Sequence, residues 1–318
     1  MTTPGIFSCE PSAKPHWTCG RIGVLEMASP DQVRLGLWDI FRERLRELGY
    51  LDGQQVLLEF RWADGQRERL VAAAEELVRS HVDVLVTAGT PAATAAILAT
   101  REIPIVMATG VGVGTELVEG VHELRPNVTG ISDLPAGISR RRLDLLRQAL
   151  SPAARLGILG DRDNPSSMVA VDETRKAASS WMTEVRDYWV AGPQKLARAF
   201  EAMSSDGIAG FVFAPGAMFF AERKRLAELG IKHRLATMAV RREYAEAGCL
   251  LAYGAPIAEN YRRAALYVSR ILDGAGLKDL PVHQPTVFDF VVNRDTATIL
   301  GLTLPQSLMA QAEVIVSS

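Results

Sequence analysis

The side chains of this sequence that could do chemistry are short, polar and placed directly behind short apolar runs. Ala28, Ser29 and Asp31 follow RIGVLEM (21–27), and Gly89, Thr90 and Pro91 follow VDVLVT (82–87). Gly110 follows IPIVMA (103–108), and ARLGILGD (154–161) ends on Asp161, with Asp163, Asn164, Ser166 and Ser167 behind it. GIAGFVFAP (207–215) ends on Pro215 with Gly216 next, and CLLAYG (249–254) carries Tyr253 near its end. Hydroxyls, a side-chain amide and backbone N–H groups left open by small residues suit a carboxylate, while Asp161 and Asp163 suit an ammonium. A helix start adds a partial positive charge that favours the same anion. A plainer reading stays open at each place. Thr90 followed by Pro91 starts any helix well, GDRDNPSS (160–167) suits a solvated turn, and Phe219, Phe220 and Tyr253 either cover an apolar ligand group or pack in a core.

Other chemistries lack their residues. GVGVG (110–114) is not G-x-G-x-x-G and reads as a flexible loop. There is no phosphate-binding G-x-x-x-x-G-K-[ST] and no G-x-S-x-G nucleophile elbow. The five His are scattered without metal-ligand spacing, and three Cys in 318 residues make no disulfide scaffold. A formal charge of −2 gives no footprint for nucleic acid or an anionic membrane, and no apolar run approaches the length of a membrane span. The triplet Arg140–Arg142 reads as a solvated helix face.

The elements that must position these residues alternate along the chain. Period-2 or continuous apolar runs predict strands at 21–27, 54–62, 82–89, 103–108, 127–132, 154–161, 185–190, 207–215, 235–240 and 249–254. Between them, 3.6-residue periodicity predicts helices at 32–50, 66–81, 91–102, 138–150, 166–181, 193–205, 219–230, 241–247 and 256–273. Such alternation means βαβ units and parallel sheets, and the restart after 138 means two doubly wound α/β lobes. The expected division is an irregular tail at 1–20, a first lobe of 21–134 plus about 255–278, and a second of 135–254 plus about 284–318. Crossovers are expected near 132–138, 253–256 and 276–286. In open α/β sheets ligands bind beyond the carboxyl ends of strands. Two lobes facing each other would thus put the polar turns on a shared cleft.

Residues 1–20 carry no basic start, apolar stretch and cleavage site of a secretory signal. The expectation is a chain that stays in the cytoplasm or whose signal was removed or lies upstream. Cys9 and Cys19 read as unpaired thiols, with pairing in an oxidising compartment as the alternative.

The ordered phrases RIGVL (21–25), ELGYLDGQQV (47–56), RWADG (61–65), VDVLVTAGTPAATAA (82–96), IPIV (103–106), NVTGIS (127–132), AYG (252–254), YRRAALYVSRILDGA (261–275) and LPVHQPTVFDFVVNRDTATILGLTLPQSLMAQAEVI (280–315) cover nearly the whole chain. Together they resemble the ABC-transporter substrate-binding proteins of the tryptophan/tyrosine-binding type. The resemblance implies a periplasmic-binding-protein type I fold, with two lobes on a three-stranded hinge and a ligand trapped between them. It implies no catalysis and no cofactor. The implied ligand is an amino acid or aromatic carboxylate, and the implied partner is a membrane permease driven by a separate ATPase. A monomer in the periplasm, or otherwise outside the cytoplasm, fits that task. Carried over, the ligand would meet the Ser29 region, Gly89–Thr90, Asp161, Asn164–Ser166 and Tyr253. The chain departs from the family pattern at ATGVGVG (108–114), where D-P-V is usual, and at Ala252, where S-Y-G is usual. Competing classes are a cytoplasmic sensor of the same fold and an isomerase- or racemase-like enzyme. The latter needs an acid/base pair at strand ends, and Cys249 begins a strand instead.

Overall fold

The computed structural model describes residues 19–110, 126–181 and 184–316. In the first lobe, β1 (Gly20–Glu26), β2 (Val56–Trp62), β3 (Val84–Ala88), β4 (Ile105–Thr109) and β5 (Val128–Gly130) form an all-parallel sheet in the order β2-β1-β3-β4-β5. Strand side chains alternate between faces, and the runs that read as continuously apolar divide accordingly. Ile22, Val24, Val84, Val86, Val106 and Ala108 face α1 (Gln32–Glu47) and a late helix, here called α10 (Ile257–Leu272). Leu25, Leu85, Ile105 and Met107 face α2 (Arg67–Arg79) and α3 (Thr90–Ala99). Both faces are covered, as an all-parallel sheet requires. Trp38 anchors the first face, meeting Phe41, Phe60 and Tyr261 edge-on with ring centroids 4.9–5.6 Å apart.

The second lobe runs through α4 (Ile138–Gln148), β6 (Arg155–Asp161), α5 (Pro165–Ser180), β7 (Val185–Val190), α6 (Leu196–Ser205), β8 (Ile208–Phe213), α7 (Ala217–Ala221), α8 (Arg223–Lys232), β9 (Ala236–Ala239), α9 (Arg242–Glu246) and β10 (Leu251–Gly254). After α10 it resumes with β11 (Asp289–Asn293), α11 (Arg294–Leu300), α12 (Gln306–Met309) and β12 (Glu313–Ile315). Its seven strands are ordered β12-β11-β10-β9-β8-β6-β7. The sheet is parallel except where β11 runs antiparallel to β10. The stretch at 219–230, expected as one helix, is broken at Glu222 into α7 and α8.

The chain passes between the sheets at 131–137, 255–256 and 281–288. Two of these passes are tied to each other: His283 N–H donates to the Gly130 carbonyl (2.8 Å) and Ser132 N–H to the His283 carbonyl (2.8 Å). Among the described residues no helix is long and apolar enough to cross a membrane, and no cluster of three or more His, Cys, Asp or Glu could hold a metal ion. Cys249 is fully buried just before β10 and Cys19 is exposed; Cys9 lies outside the described residues.

Candidate functional site

The carboxyl ends of the two sheets face one another across a cleft. Its inner part is lined by residues one to five positions beyond strand ends: Gly89 and Thr90 after β3, Gly110 after β4, Asn164 and Ser166 after β6, Pro215 and Gly216 after β8, and Val240 and Arg241 after β9. This inner space is about 60 Å³. It shares Pro91, Asn164 and Ala217 with a wider outer part of about 280 Å³. The outer part is lined by Met27, Ala28, Ser29, Pro193, Met218 and Ala221, with Asp31, Asp64, Asp161, Asp163, Glu222 and Arg67 around it.

Local chemistry explains each polar turn. Gly89 has φ +89°, a conformation that a side chain disfavours. In it the Gly89 N–H is shared between the Thr109 carbonyl (2.9 Å) and the Thr109 Oγ1 (3.0 Å), fixing the start of α3. Thr90 is 5% exposed and lines the inner space. Asn164 caps α5: its Oδ1 accepts from Ser166 N (3.2 Å) and Ser166 Oγ (2.7 Å), and its Nδ2 donates to the Pro215 carbonyl (3.1 Å). One amide thus holds two strand ends of the second lobe in register. Asp161 is nearly buried, and its Oδ1 accepts from Asp163 N–H (3.0 Å). Burial pushes its carboxyl up to about 6, with a smaller opposing effect from that hydrogen bond.

Two of the twelve sequence-derived candidates are not brought to the cleft lining. Ser167 is fully buried, and its Oγ accepts from Asp161 N–H (2.8 Å), so it supports the turn from beneath. The Tyr253 ring stacks on Phe288 (centroids 5.5 Å apart, planes 25° apart) and meets Phe290 edge-on. The other ten, Ala28, Ser29, Gly89, Thr90, Pro91, Gly110, Asp161, Asn164, Ser166 and Pro215, all line it. Phe219 is core, whereas Phe220 lines the inner space. Of the loop 110–114 only Gly110 lies within the described residues; its carbonyl accepts from Asp133 N–H (2.6 Å).

Sequence reasoning missed the charged floor. Arg34, Asp133, Arg142 and Arg241 all line the inner space. Asp133 pairs with Arg241 (2.6 Å) and accepts from Asn260 Nδ2 (2.6 Å). Burial raises its pKa, against which the Arg241 charge works. Arg34 pairs with the fully buried Glu26 (3.6 Å) and reaches across the cleft to lie 4.9 Å from the Phe220 ring centroid. Arg142 corrects the reading of Arg140–Arg142 as a solvated face: it is 3% exposed. Its signal was present in the spacing, because Arg142 shares a helical face with Ile138, Leu145 and Leu146, all buried. Arg34 likewise sits on the face of Leu37, Trp38, Phe41 and Leu45. Asp133 and Arg241 follow strands β5 and β9 and obey the same strand-end rule that found the other residues.

A family model described as "ABC transporter substrate binding protein" matches residues 22–316. A tyrosine-binding protein from Clostridioides difficile (strain R20291) is 22% identical over 292 residues, covering 91% of this chain and 82% of that protein. Among solved structures, the ABC domain in complex with L-Trp from Streptococcus pneumonia superposes with a TM-score of 0.83 at 24% identity, over 94% of this chain and all of that one. A ligand-free, open substrate-binding protein from Clostridium difficile gives 0.66 at 20% identity, over 94% of this chain and all of that one.

Proposed function

Because this chain belongs to the ABC transporter substrate-binding protein family, we propose that it is the solute-binding component of an importer. In this reading it holds a small carboxylate-bearing solute between its lobes and delivers it unaltered to a membrane permease outside the cytoplasm. The observation that carries the reading is the composition of the cleft. Its inner part gathers hydroxyls and N–H groups from the ends of strands in both sheets together with guanidinium groups from α1, α4 and the turn after β9, and its outer part adds apolar side chains. The relatives named for tyrosine binding and for an L-Trp complex support an apolar or aromatic amino acid, or an aromatic acid, as the solute.

The two parts of the cleft divide the work. The inner 60 Å³ is smaller than the ~150 Å³ cavity that admits benzene, so it suits the polar head of a solute. The outer 280 Å³, with Met27, Pro193, Met218 and Ala221, suits an apolar group. Burying one aromatic group of ~150–250 Å² at ~25 cal/mol/Å² contributes about 4–6 kcal/mol. Hydrogen bonds to the head group add about 1 kcal/mol or more each, and association entropy offsets part of the sum. A micromolar Kd, about −8 kcal/mol, is reachable with these terms. A solute touching both lobes favours whichever arrangement makes both sets of contacts, which gives a permease something to distinguish.

A thermal-shift screen of amino acids and aromatic acids tests this. A solute at 100 times its Kd stabilises the folded chain by about 2.7 kcal/mol, and Thr90→Ala should weaken that shift. A panel in which no acid moves the Tm contradicts the reading.

A further inference from the structure

We propose that Arg142 is the specificity-determining residue of the cleft: the solute brings a carboxylate to it, because no carboxylate among the described residues forms an ion pair with it. This rests on the reading of the cleft as a solute site. It also moves the main anionic contact from the start of α3 to a guanidinium on α4.

The three arginines of the triplet have different fates. Arg140 lies over the Trp181 ring (4.8 Å to the centroid), and Arg141 pairs with Asp144 (3.0 Å). Arg142 alone turns inward to line the cavity. There its Nε donates to the Tyr253 carbonyl (2.8 Å) and its Nη2 to the Val240 carbonyl (3.3 Å). These two carbonyls fix the plane of the guanidinium but neutralise nothing, and Nη1 has no protein acceptor among the described residues.

The neighbouring carboxylates are already committed. Asp133 is held by Arg241 and Asn260, and Glu26 by Arg34. Among the described residues, three guanidinium groups at and beneath the floor of the cleft therefore stand against two carboxylates, with Asp133 paired to Arg241 and acting on Arg142 only at longer range, so that one positive charge is in excess. Burial, and after it the charge of Arg241, brings Arg142 down to about 10 against the opposing charge of Asp133, which leaves it protonated at neutral pH. An uncompensated buried charge is costly, and a binding protein recovers that cost when the ligand supplies the missing charge. A site with a buried donor built for one group also rejects analogues that lack it.

The test measures binding of acids and of their primary amides, which keep shape and lose the charge: L-tryptophan with L-tryptophanamide, L-tyrosine with L-tyrosinamide, and 3-phenylpropionate with its amide. Titration calorimetry on the full chain compares the wild type with Arg142→Gln and Arg142→Lys, and near-UV circular dichroism checks folding. Should Arg142→Gln not fold, Arg142→Met replaces it. The expected result is an acid preference of at least 30-fold in the wild type that falls below threefold in Arg142→Gln, through loss of acid affinity with amide affinity kept. Arg142→Lys should retain most of the preference. Acids that bind with the same preference in Arg142→Gln or Arg142→Met overturn the role of Arg142 and leave the proposed function standing. A wild type that binds no acid of the set overturns this assignment together with the reading it rests on.

Discussion

Replacing Asp161 by Asn should stabilise the solute-free protein at neutral pH while damaging solute binding. The Asp161 carboxyl is 8% exposed and takes part in no ion pair among the described residues. Burial lifts its pKa from 3.8 to about 6. Between these two values the folded chain keeps a proton that the unfolded chain has lost. Stability therefore falls as pH rises from about 4 to about 6 and stays lower above that window. At 1.36 kcal/mol per pH unit, the gap amounts to about 3 kcal/mol, an upper bound for a group at the edge of a cleft. The amide introduced by Asp161→Asn carries no charge to desolvate and keeps an oxygen for the Asp163 N–H. Urea unfolding at pH 7.5 and pH 4.5 measures the effect. The variant should exceed the wild type by about 2–3 kcal/mol at pH 7.5, and the difference should shrink to about 1 kcal/mol at pH 4.5. A difference that is the same at both pH values, or a wild type more stable at pH 7.5, refutes the reasoning. Loss of affinity for amino acids but not for acids lacking an ammonium would further assign Asp161 to the amine.

Other outcomes follow from the same geometry. Arg241→Ala leaves Asp133 buried without its ion pair and should cost about 3–5 kcal/mol at pH 7; Asp133→Asn in the same chain should restore part of that in urea melts. Gly254→Ala would place a Cβ 1.8 Å from the Val240 carbonyl oxygen, at the crossover beside Arg142. Its Tm should drop steeply, by the equivalent of more than about 3 kcal/mol, and a Tm within 2 °C of the wild type, by the scale of about 2–4 °C per kcal/mol, would contradict the packing. The Cys249 thiol, buried and pushed up to about 12, should resist an aromatic disulfide reagent in the native state and react on unfolding. Comparison with Cys249→Ser isolates its signal, and equal reactivity in both states would contradict its burial.

The sequence carried the fold further than it carried the site. Continuous apolar runs such as VDVLVT declare a doubly covered strand, because both faces of a parallel sheet are buried. Strands β11 and β12 escaped because DFVVN and EVI are short and lie in a Pro-rich tail, where the antiparallel turn of β11 follows from sheet closure and not from local pattern. In the site, small polar residues behind strands were legible from the βα rule alone. Tyr253 could not be oriented from its position because a strand-end aromatic points to either face, and its ring packs on Phe288 and Phe290, distant in sequence. Arg34 and Arg142 were hidden by their type: a guanidinium at an apolar-face position reads as surface until the lobe opposite, or the cavity itself, is known.

The central claim, that the cleft holds a small carboxylate and releases it unchanged, meets its most direct test in equilibrium dialysis against labelled L-tryptophan, L-tyrosine and aromatic acids, with mass spectrometry of the recovered solute. The account expects at least one of them to be retained at one per chain with a micromolar Kd and returned with its mass intact. Retention of none, or recovery of a converted product, would contradict it.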